Sequence, residues 1–171
     1  MAISGTPGTG KTSLCGTSDA GGISVLDLAL EHDCVIAARN DEPIQIDTER
    51  LHDILDGPWS SPPGELLLID GHLSHDLPVD AVVVLRCRPQ ELRLRLQQRD
   101  WSEQKVEENV EYELLGGPWA ELLDMTDAPP CLELNTTRTS AEGLWTSILA
   151  WIESGTPHSS GEIDWIDESQ P

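Results

Sequence analysis

A glycine-rich stretch close to the amino terminus has the residue types and the spacing of a phosphate-binding loop. It reads Gly5-Thr6-Pro7-Gly8-Thr9-Gly10-Lys11-Thr12 and fits the pattern G-x-x-x-x-G-K-[ST] at every fixed position. A triphosphate is held by several backbone N–H groups that turn inward, and glycines leave room for that wrap. Lys11 can bring a positive charge to the β- and γ-phosphates, and the hydroxyl of Thr12 can ligate Mg²⁺. The stretch therefore predicts a site for Mg²⁺ and ATP, followed by a helix that Ser13 helps to open.

A carboxylate that could complete this site follows an apolar run in the middle of the chain. The run Glu65-Leu66-Leu67-Leu68-Ile69 ends at Asp70. Such a run is typical of a parallel strand buried on both faces, and it delivers Asp70 to the strand end where ligands of open α/β sheets gather. Downstream of a phosphate loop, this carboxylate predicts a magnesium ligand that acts through water. A helix-capping or turn aspartate is the alternative.

The stretch 70–76 leaves a further interpretation open, because it holds two histidines as well as two aspartates. These residues could form a transition-metal cluster. The magnesium interpretation is favoured, since it already accounts for Asp70 and no cysteine lies nearby. His72 could instead orient a water molecule or a phosphate.

Arginines are concentrated in the segment that follows the next predicted strand. Half of the ten basic residues lie there: Arg86, Arg88, Arg93, Arg95 and Arg99. Spacings of seven and four place Arg88, Arg95 and Arg99 on one face wherever the segment is helical. In so acidic a protein, this alignment favours phosphate ligands over solvated surface. The polar turn and helix that follow, to residue 115, predict a lid that closes over phosphates and excludes water.

The remaining pattern predicts one α/β domain, which suits a chain of 171 residues. Strands are predicted at 1–4, 23–25, 65–69, 80–85 and 131–134. Helices are predicted at 11–20, from 26, from 47, from 89, at 102–115 and at 140–153. The polar segment 33–63 is long enough to fold over a second ligand. Its only cations, Arg39 and Arg50, are a sparse supply for a second phosphate group.

Net charge and hydropathy exclude several classes of protein. The net charge of −21 opposes nonspecific binding to nucleic acid and would attract a basic partner. An acidic surface adapted to a salty cytoplasm is the alternative explanation. No apolar run is long enough to cross a bilayer, and the phosphate loop starts too early for a signal peptide to precede it, which predicts a cytoplasmic protein. The four cysteines are widely spaced and predict buried thiols.

The last residues, 154–171, have the composition of a mobile acidic tail. Ile163, Trp165 and Ile166 are unexpected in a purely solvating tail. They leave open whether the tail docks on the body, docks on a partner or does neither.

These motifs resemble the small adenylate-kinase-like proteins of archaea and eukaryotic nuclei, which act in late maturation of the small ribosomal subunit. The resemblance covers about residues 1–153. Its specific parts are the loop Gly5–Ser13, the D-x-H at Asp70 and His72, and the R-x-x-x-R at Arg95 and Arg99. It continues through Trp101, Lys105 and Asn109 to the stretch 150–153.

The resemblance implies a P-loop, adenylate-kinase-like three-layer fold with about five parallel strands and helices on both faces. It implies a nucleoside monophosphate kinase that converts ATP and AMP to 2 ADP, with ATPase activity and a transient complex with a basic small-subunit ribosomal protein. A monophosphate-binding segment would lie at about 26–50 and a lid at about 98–108. Arg99 and Arg138 would match two further nucleotide contacts.

The predicted mechanism is in-line transfer of the γ-phosphoryl group, in which the protein places the reactants and neutralises charge. Lys11, Arg95 and Arg99 would stabilise the transferring group. Thr12 and Asp70 would hold the metal, and His72 could position water for hydrolysis. Two alternatives stay open: an assembly factor with incidental kinase turnover, and a kinase of another small metabolite.

Overall fold

The computed structural model describes residues 1–18, 21–36, 44–61, 63–159 and 161–167. The strands in chain order are β1 (Ala2–Ser4), β2 (Ile23–Ser24), β3 (Val35–Ile36), β4 (Gln45–Ile46), β5 (Ile69–Asp70), β6 (Val82–Arg86) and β7 (Cys131–Asn135). The helices are α1 (Lys11–Cys15), α2 (Val25–Glu31), α3 (Thr48–Trp59), α4 (Pro89–Gln97), α5 (Glu103–Leu114), α6 (Gly117–Asp124) and α7 (Ala141–Glu153), with a 3₁₀ turn at Ser74–Asp76.

Five of the strands form one parallel sheet in the order β2-β5-β1-β6-β7. This arrangement confirms the predicted parallel α/β fold with about five strands. Because β1 is central and β5 lies beside it, the loop after β1 and Asp70 at the end of β5 meet at one edge of the sheet.

Helices cover both faces of the sheet. They are needed on both because successive side chains along a strand point to opposite faces, and both sets are apolar here. Ile3 and Val83 point to one face, where they share a core with Ile148 of α7. Ala2 and Val82 point to the other face. That second face packs against α6 through Leu122, and a third apolar cluster lies under α2 and α3. All four cysteines are buried and unbonded to one another, which confirms their predicted environment.

Several predicted elements are shorter than expected. The run 65–69 was predicted to be a strand, but only Ile69–Asp70 pairs, and Leu66 is exposed. The paired part of β5 is short because the neighbouring strands are short: β5 pairs with two residues of β1 on one side and with two residues of β2 on the other. The helix predicted at 11–20 ends at Cys15 in a turn, with residues 19 and 20 outside the described part.

Two features of the fold are absent from the sequence prediction. The first is α6: the helix predicted at 102–115 ends as expected, but a second helix begins directly after Gly116, whose backbone is left-handed (φ 70°). Pro118 in the first turn of α6 is a helix-start signal that the preceding glycines obscured. The second feature is the antiparallel pair β3–β4, which lies within the polar segment 33–63.

Two of the predicted helices begin at residues whose side chains cap the first turn. The Asp47 side chain accepts a hydrogen bond from the Arg50 amide at 3.0 Å and starts α3. Ser140 caps α7 in the same way. Within α7, Leu144, Ile148 and Trp151 are buried, whereas Ile152 is exposed.

The described part of the C-terminal tail folds back on the body. The Ser159 amide donates to the Cys131 carbonyl at 2.8 Å, and Trp151 Nε1 donates to the Pro157 carbonyl at 2.8 Å. Of the three apolar tail residues, Trp165 contacts the body and Ile166 is 65% exposed. Among the described residues, no helix has the length and apolar character needed to span a membrane.

Candidate nucleotide-binding site

The phosphate loop occupies the turn between β1 and α1, and two of its glycines are required by close packing. Gly5 has φ +136°, and a Cβ there would collide with the Leu85 carbonyl. Gly8 has φ +93°, and a Cβ there would approach the side chains of Leu92 and Leu96 to within 2.9 and 2.8 Å. The loop therefore packs closely against β6 and α4. The loop residues from Pro7 onward line the cleft described below.

Lys11 lies at the start of α1 and is only 9% exposed. Its Nζ donates hydrogen bonds to the Gly5 carbonyl at 2.6 Å and to the Thr6 carbonyl at 3.1 Å. Burial lowers the pKa of Lys11 to about 8, although the nearby Asp70 carboxylate partly offsets this effect. A polyphosphate would supply the negative charge that this buried ammonium group favours.

Thr12 and Asp70 are brought together although they are far apart in the sequence. The Thr12 hydroxyl donates to Asp70 Oδ2 at 2.7 Å. Mg²⁺ prefers hard oxygen ligands, and these two oxygens lie side by side in the cleft. The pair fits the predicted magnesium site, in which Thr12 and Asp70 would hold the ion.

A cleft of about 700 Å³ opens over the loop. Of the predicted site residues, the following line it: Gly8, Gly10, Lys11, Thr12, Ser13, Asp70, His72, Arg95 and Arg99. Arg138 does not line the cleft and is exposed on the loop after β7, although its neighbours Thr136 and Thr139 do line it.

Arg95 and Arg99 reach the cleft from different positions. Arg95 is held on α4 by Glu91 at 3.1 Å, and its Nη2 donates to the Thr136 carbonyl at 3.0 Å. Arg99 lies beyond the end of α4, with its guanidinium 5.1 Å from the ring centroid of Trp101. The cleft therefore has one fixed and one more exposed guanidinium group.

Arg88, Arg95 and Arg99 were expected to share one face wherever the segment is helical, but the helix does not include all three. Arg88 is the residue before α4 and Arg99 follows its last turn, so only Arg95 of the three lies within the helix. Arg88 does not line the cleft. Of the other two arginines in this segment, Arg86 is buried in the interior and Arg93 pairs with Glu107 on the surface.

His72 and His75 have different surroundings. The His72 ring packs edge-to-face on Tyr112, with centroids 5.8 Å apart, and burial lowers its pKa. A neutral imidazole at the cleft can accept a hydrogen bond from water, and it can donate one to water or to phosphate. His75 is instead buried in structural contacts, with Nδ1 2.8 Å from Ser4 Oγ and Nε2 3.1 Å from Glu121. No group of three potential metal-ligating side chains occurs among the residues that the structure describes.

The walls of the cleft include residues that sequence reasoning missed. One wall is formed at the start of α2 and by β4: Ser24, Val25, Leu26, Ile44 and Ile46. The opposite wall is formed by the loop after β7 and by α7: Thr136, Thr139, Ala141 and Leu144. The residues of the first wall from Leu26 onward fall in the segment at about 26–50 that the resemblance assigns to the monophosphate. The others are ordinary apolar and hydroxyl residues with no distinctive spacing, so no local signal identified them.

A phosphate loop after a central parallel strand, with a carboxylate at the end of the adjacent strand, defines a P-loop nucleotide-binding protein. A family model described as an AAA domain matches residues 1–116. A protein of Thermococcus onnurineus is 37% identical over 172 residues, which cover 98% of this chain and 92% of the relative. A protein of Archaeoglobus fulgidus is 37% identical over 175 residues, with the same coverage.

Both relatives carry the name "Putative adenylate kinase". The chain belongs to this archaeal family. Among solved structures, a deoxyadenosine kinase from M. mycoides with bound dATP is 14% identical, with a TM-score of 0.46. The match covers 89% of this chain and 98% of the kinase.

Proposed function

We propose that the protein transfers the γ-phosphoryl group of Mg·ATP to a nucleoside monophosphate, converting ATP and AMP to 2 ADP in the cytoplasm. The observation that carries this proposal is the set of residues that line the cleft: they follow β2 at one edge of the sheet and β7 at the other, and the phosphate loop follows the central β1. A nucleotide on each side would bring the two phosphate chains together over Lys11. The relatives named as adenylate kinases support the same reaction.

The chemistry proposed for the site is mainly electrostatic. An oxygen of the acceptor phosphate attacks the γ-phosphorus in line, and the bond from that phosphorus to the β–γ bridging oxygen breaks, so that ADP leaves. Lys11, Arg95 and Arg99 stabilise the negative charge on the transferring group. When bound by Thr12 and Asp70, Mg²⁺ neutralises phosphate charge.

The two walls are assigned different roles in this proposal. The wall at α2 and β4 belongs to the monophosphate-binding segment at about 26–50, and the wall at α7 takes the ATP base. Residues 37–43, including Arg39, lie outside the described part, and Arg50 donates to the Asp33 carbonyl at 3.1 Å. Residues 98–108, which carry Arg99, act as the lid.

The experiment is to incubate the protein with ATP and Mg²⁺, with and without AMP, and to separate the products. Kinase activity predicts two ADP formed for each AMP consumed. Release of inorganic phosphate with no AMP consumed would contradict the kinase assignment and favour hydrolysis. Replacing AMP by other nucleoside monophosphates would define the acceptor base.

A second candidate function is ATP hydrolysis in late maturation of the small ribosomal subunit, together with a basic small-subunit ribosomal protein. The net charge of −21 favours a basic partner, and the neutral His72 at the cleft could position water. Pull-down with purified small-subunit ribosomal proteins tests it. Retention of none of them at physiological salt would contradict this role.

Replacing Asp70 by asparagine should weaken the response to Mg²⁺. The variant keeps the size of the side chain and one acceptor oxygen but removes the charge that faces Thr12. We expect the Mg²⁺ concentration for half-maximal activity to rise on the order of tenfold to a hundredfold, as for ligands that act through water. A Mg²⁺ titration of the rate measures it. Asp80→Asn, an exposed position outside the cleft, serves as the matched control.

A further inference from the structure

A buried carboxylate connects the phosphate loop to the C-terminal segment, defined as residues 161–167. Glu113 of α5 is fully buried. Its Oε1 accepts hydrogen bonds from Arg86 Nε at 2.8 Å, the Cys87 amide at 3.0 Å and Trp165 Nε1 at 3.0 Å. Its Oε2 accepts a hydrogen bond from the Thr6 hydroxyl. One side chain therefore contacts the loop, the end of β6 and the C-terminal segment.

Thr6 carries this contact into the nucleotide site. It is fully buried, and its side chain is fixed by Glu113. Its carbonyl accepts hydrogen bonds from Lys11 Nζ at 3.1 Å and from Thr9 Oγ1 at 2.9 Å. The Thr9 amide donates to the same carbonyl at 3.2 Å. The Thr6 carbonyl thus helps to fix the shape of the loop and, together with the Gly5 carbonyl, the direction of Lys11.

This buried network contains more negative than positive charge. The Arg86 guanidinium pairs with Glu113 at 2.8 Å and with Glu133 at 2.6 Å, and all three side chains are at most 2% exposed. Two carboxylates share one cation, so one negative charge remains to be satisfied by hydrogen bonds. The segment supplies them: Trp165 Nε1 donates to Glu113, and the amides of residues 162–163 donate to Glu133 at 2.8 and 2.9 Å.

We infer that Glu113 is a positioning residue for the phosphate loop, and that the C-terminal segment holds Glu113 in the orientation that the loop requires. Docking of the segment and binding of nucleotide then stabilise each other, because coupling between two sites is reciprocal. When the segment undocks, a smaller fraction of the molecules has the loop in the conformation that binds nucleotide. The apparent affinity for nucleotide falls in proportion to that fraction. The inference rests on the proposed function only in requiring that the loop bind nucleotide.

Trp165→Phe tests the inference in the full chain, because it removes the indole N–H and keeps an aromatic ring. We expect the Kd for Mg·ADP, measured by calorimetry, to rise about fivefold, the low end of typical couplings. Trp59→Phe is the matched control, since Trp59 of α3 packs against the apolar cluster under α2 and α3 and does not line the cleft. Its Kd should equal that of the unmodified protein.

A reciprocal measurement separates positioning from general stabilisation. Saturating Mg·ADP should slow backbone hydrogen exchange in residues 161–167 of the unmodified protein. Thr6→Val removes the hydroxyl that reaches Glu113, so saturating nucleotide should no longer slow exchange in that segment. If Glu113 only stabilised the fold, the effect of nucleotide on hydrogen exchange in residues 161–167 would not depend on the Thr6 hydroxyl.

Two results would count against the inference. An unmodified protein that fails to bind Mg·ADP would overturn the proposed function and this inference together. Normal binding by the unmodified protein, with an unchanged Kd in Trp165→Phe and no effect of nucleotide on exchange in the segment, would overturn the inference alone.

Discussion

Lys11→Met should lower kcat/KM for ATP on the order of a hundredfold or more, which corresponds to roughly 3 kcal/mol of lost transition-state stabilisation. The reason is that Lys11 is the buried cation at the base of the cleft, and methionine has a similar length without the charge. The measurement is the initial rate of ADP formation from ATP and AMP.

Arg93→Met is the matched control for this substitution. It also removes one positive charge, but Arg93 pairs with Glu107 on the surface and does not line the cleft. We expect its rate to stay close to that of the unmodified protein. Unchanged turnover in Lys11→Met would contradict the assignment of the site.

Arg86→Met should destabilise the fold by about 3 to 5 kcal/mol, because it leaves Glu113 and Glu133 buried without a cation. The free energy of unfolding in urea measures this loss. Arg93→Met breaks an ion pair whose side chains are 37% and 49% exposed, and it should cost only about 0 to 1 kcal/mol. Equal losses in the two variants would contradict the role given to the buried network.

Features with a local signature were predictable from the sequence. The phosphate loop follows from its glycines and Lys11, and the start of α3 follows from Asp47, because these residues act on neighbours a few positions away. The sheet was predictable in outline, since runs such as Val82–Leu85 are apolar throughout. Asp70 was placed at the cleft by the rule that ligands gather at the ends of parallel strands.

Features that depend on distant partners were not predictable. Arg86 has the same residue type as Arg95, yet its position at the end of β6 turns it toward Glu113 rather than toward the cleft. The contact from Thr6 to Glu113 spans 107 residues, and no spacing in the sequence announces it. The docking of Trp165 was left open because its acceptor, that same carboxylate, is defined only by the folded structure.

The central claim is that one cleft holds ATP and a nucleoside monophosphate at the same time. The most direct test is calorimetry with a bisubstrate analogue in which two adenosines are joined by five phosphates. The account predicts one analogue bound per chain, a Kd at least about tenfold below that for ATP, and displacement by either ATP or AMP. An analogue that binds no more tightly than ATP, or that AMP cannot displace, would contradict it.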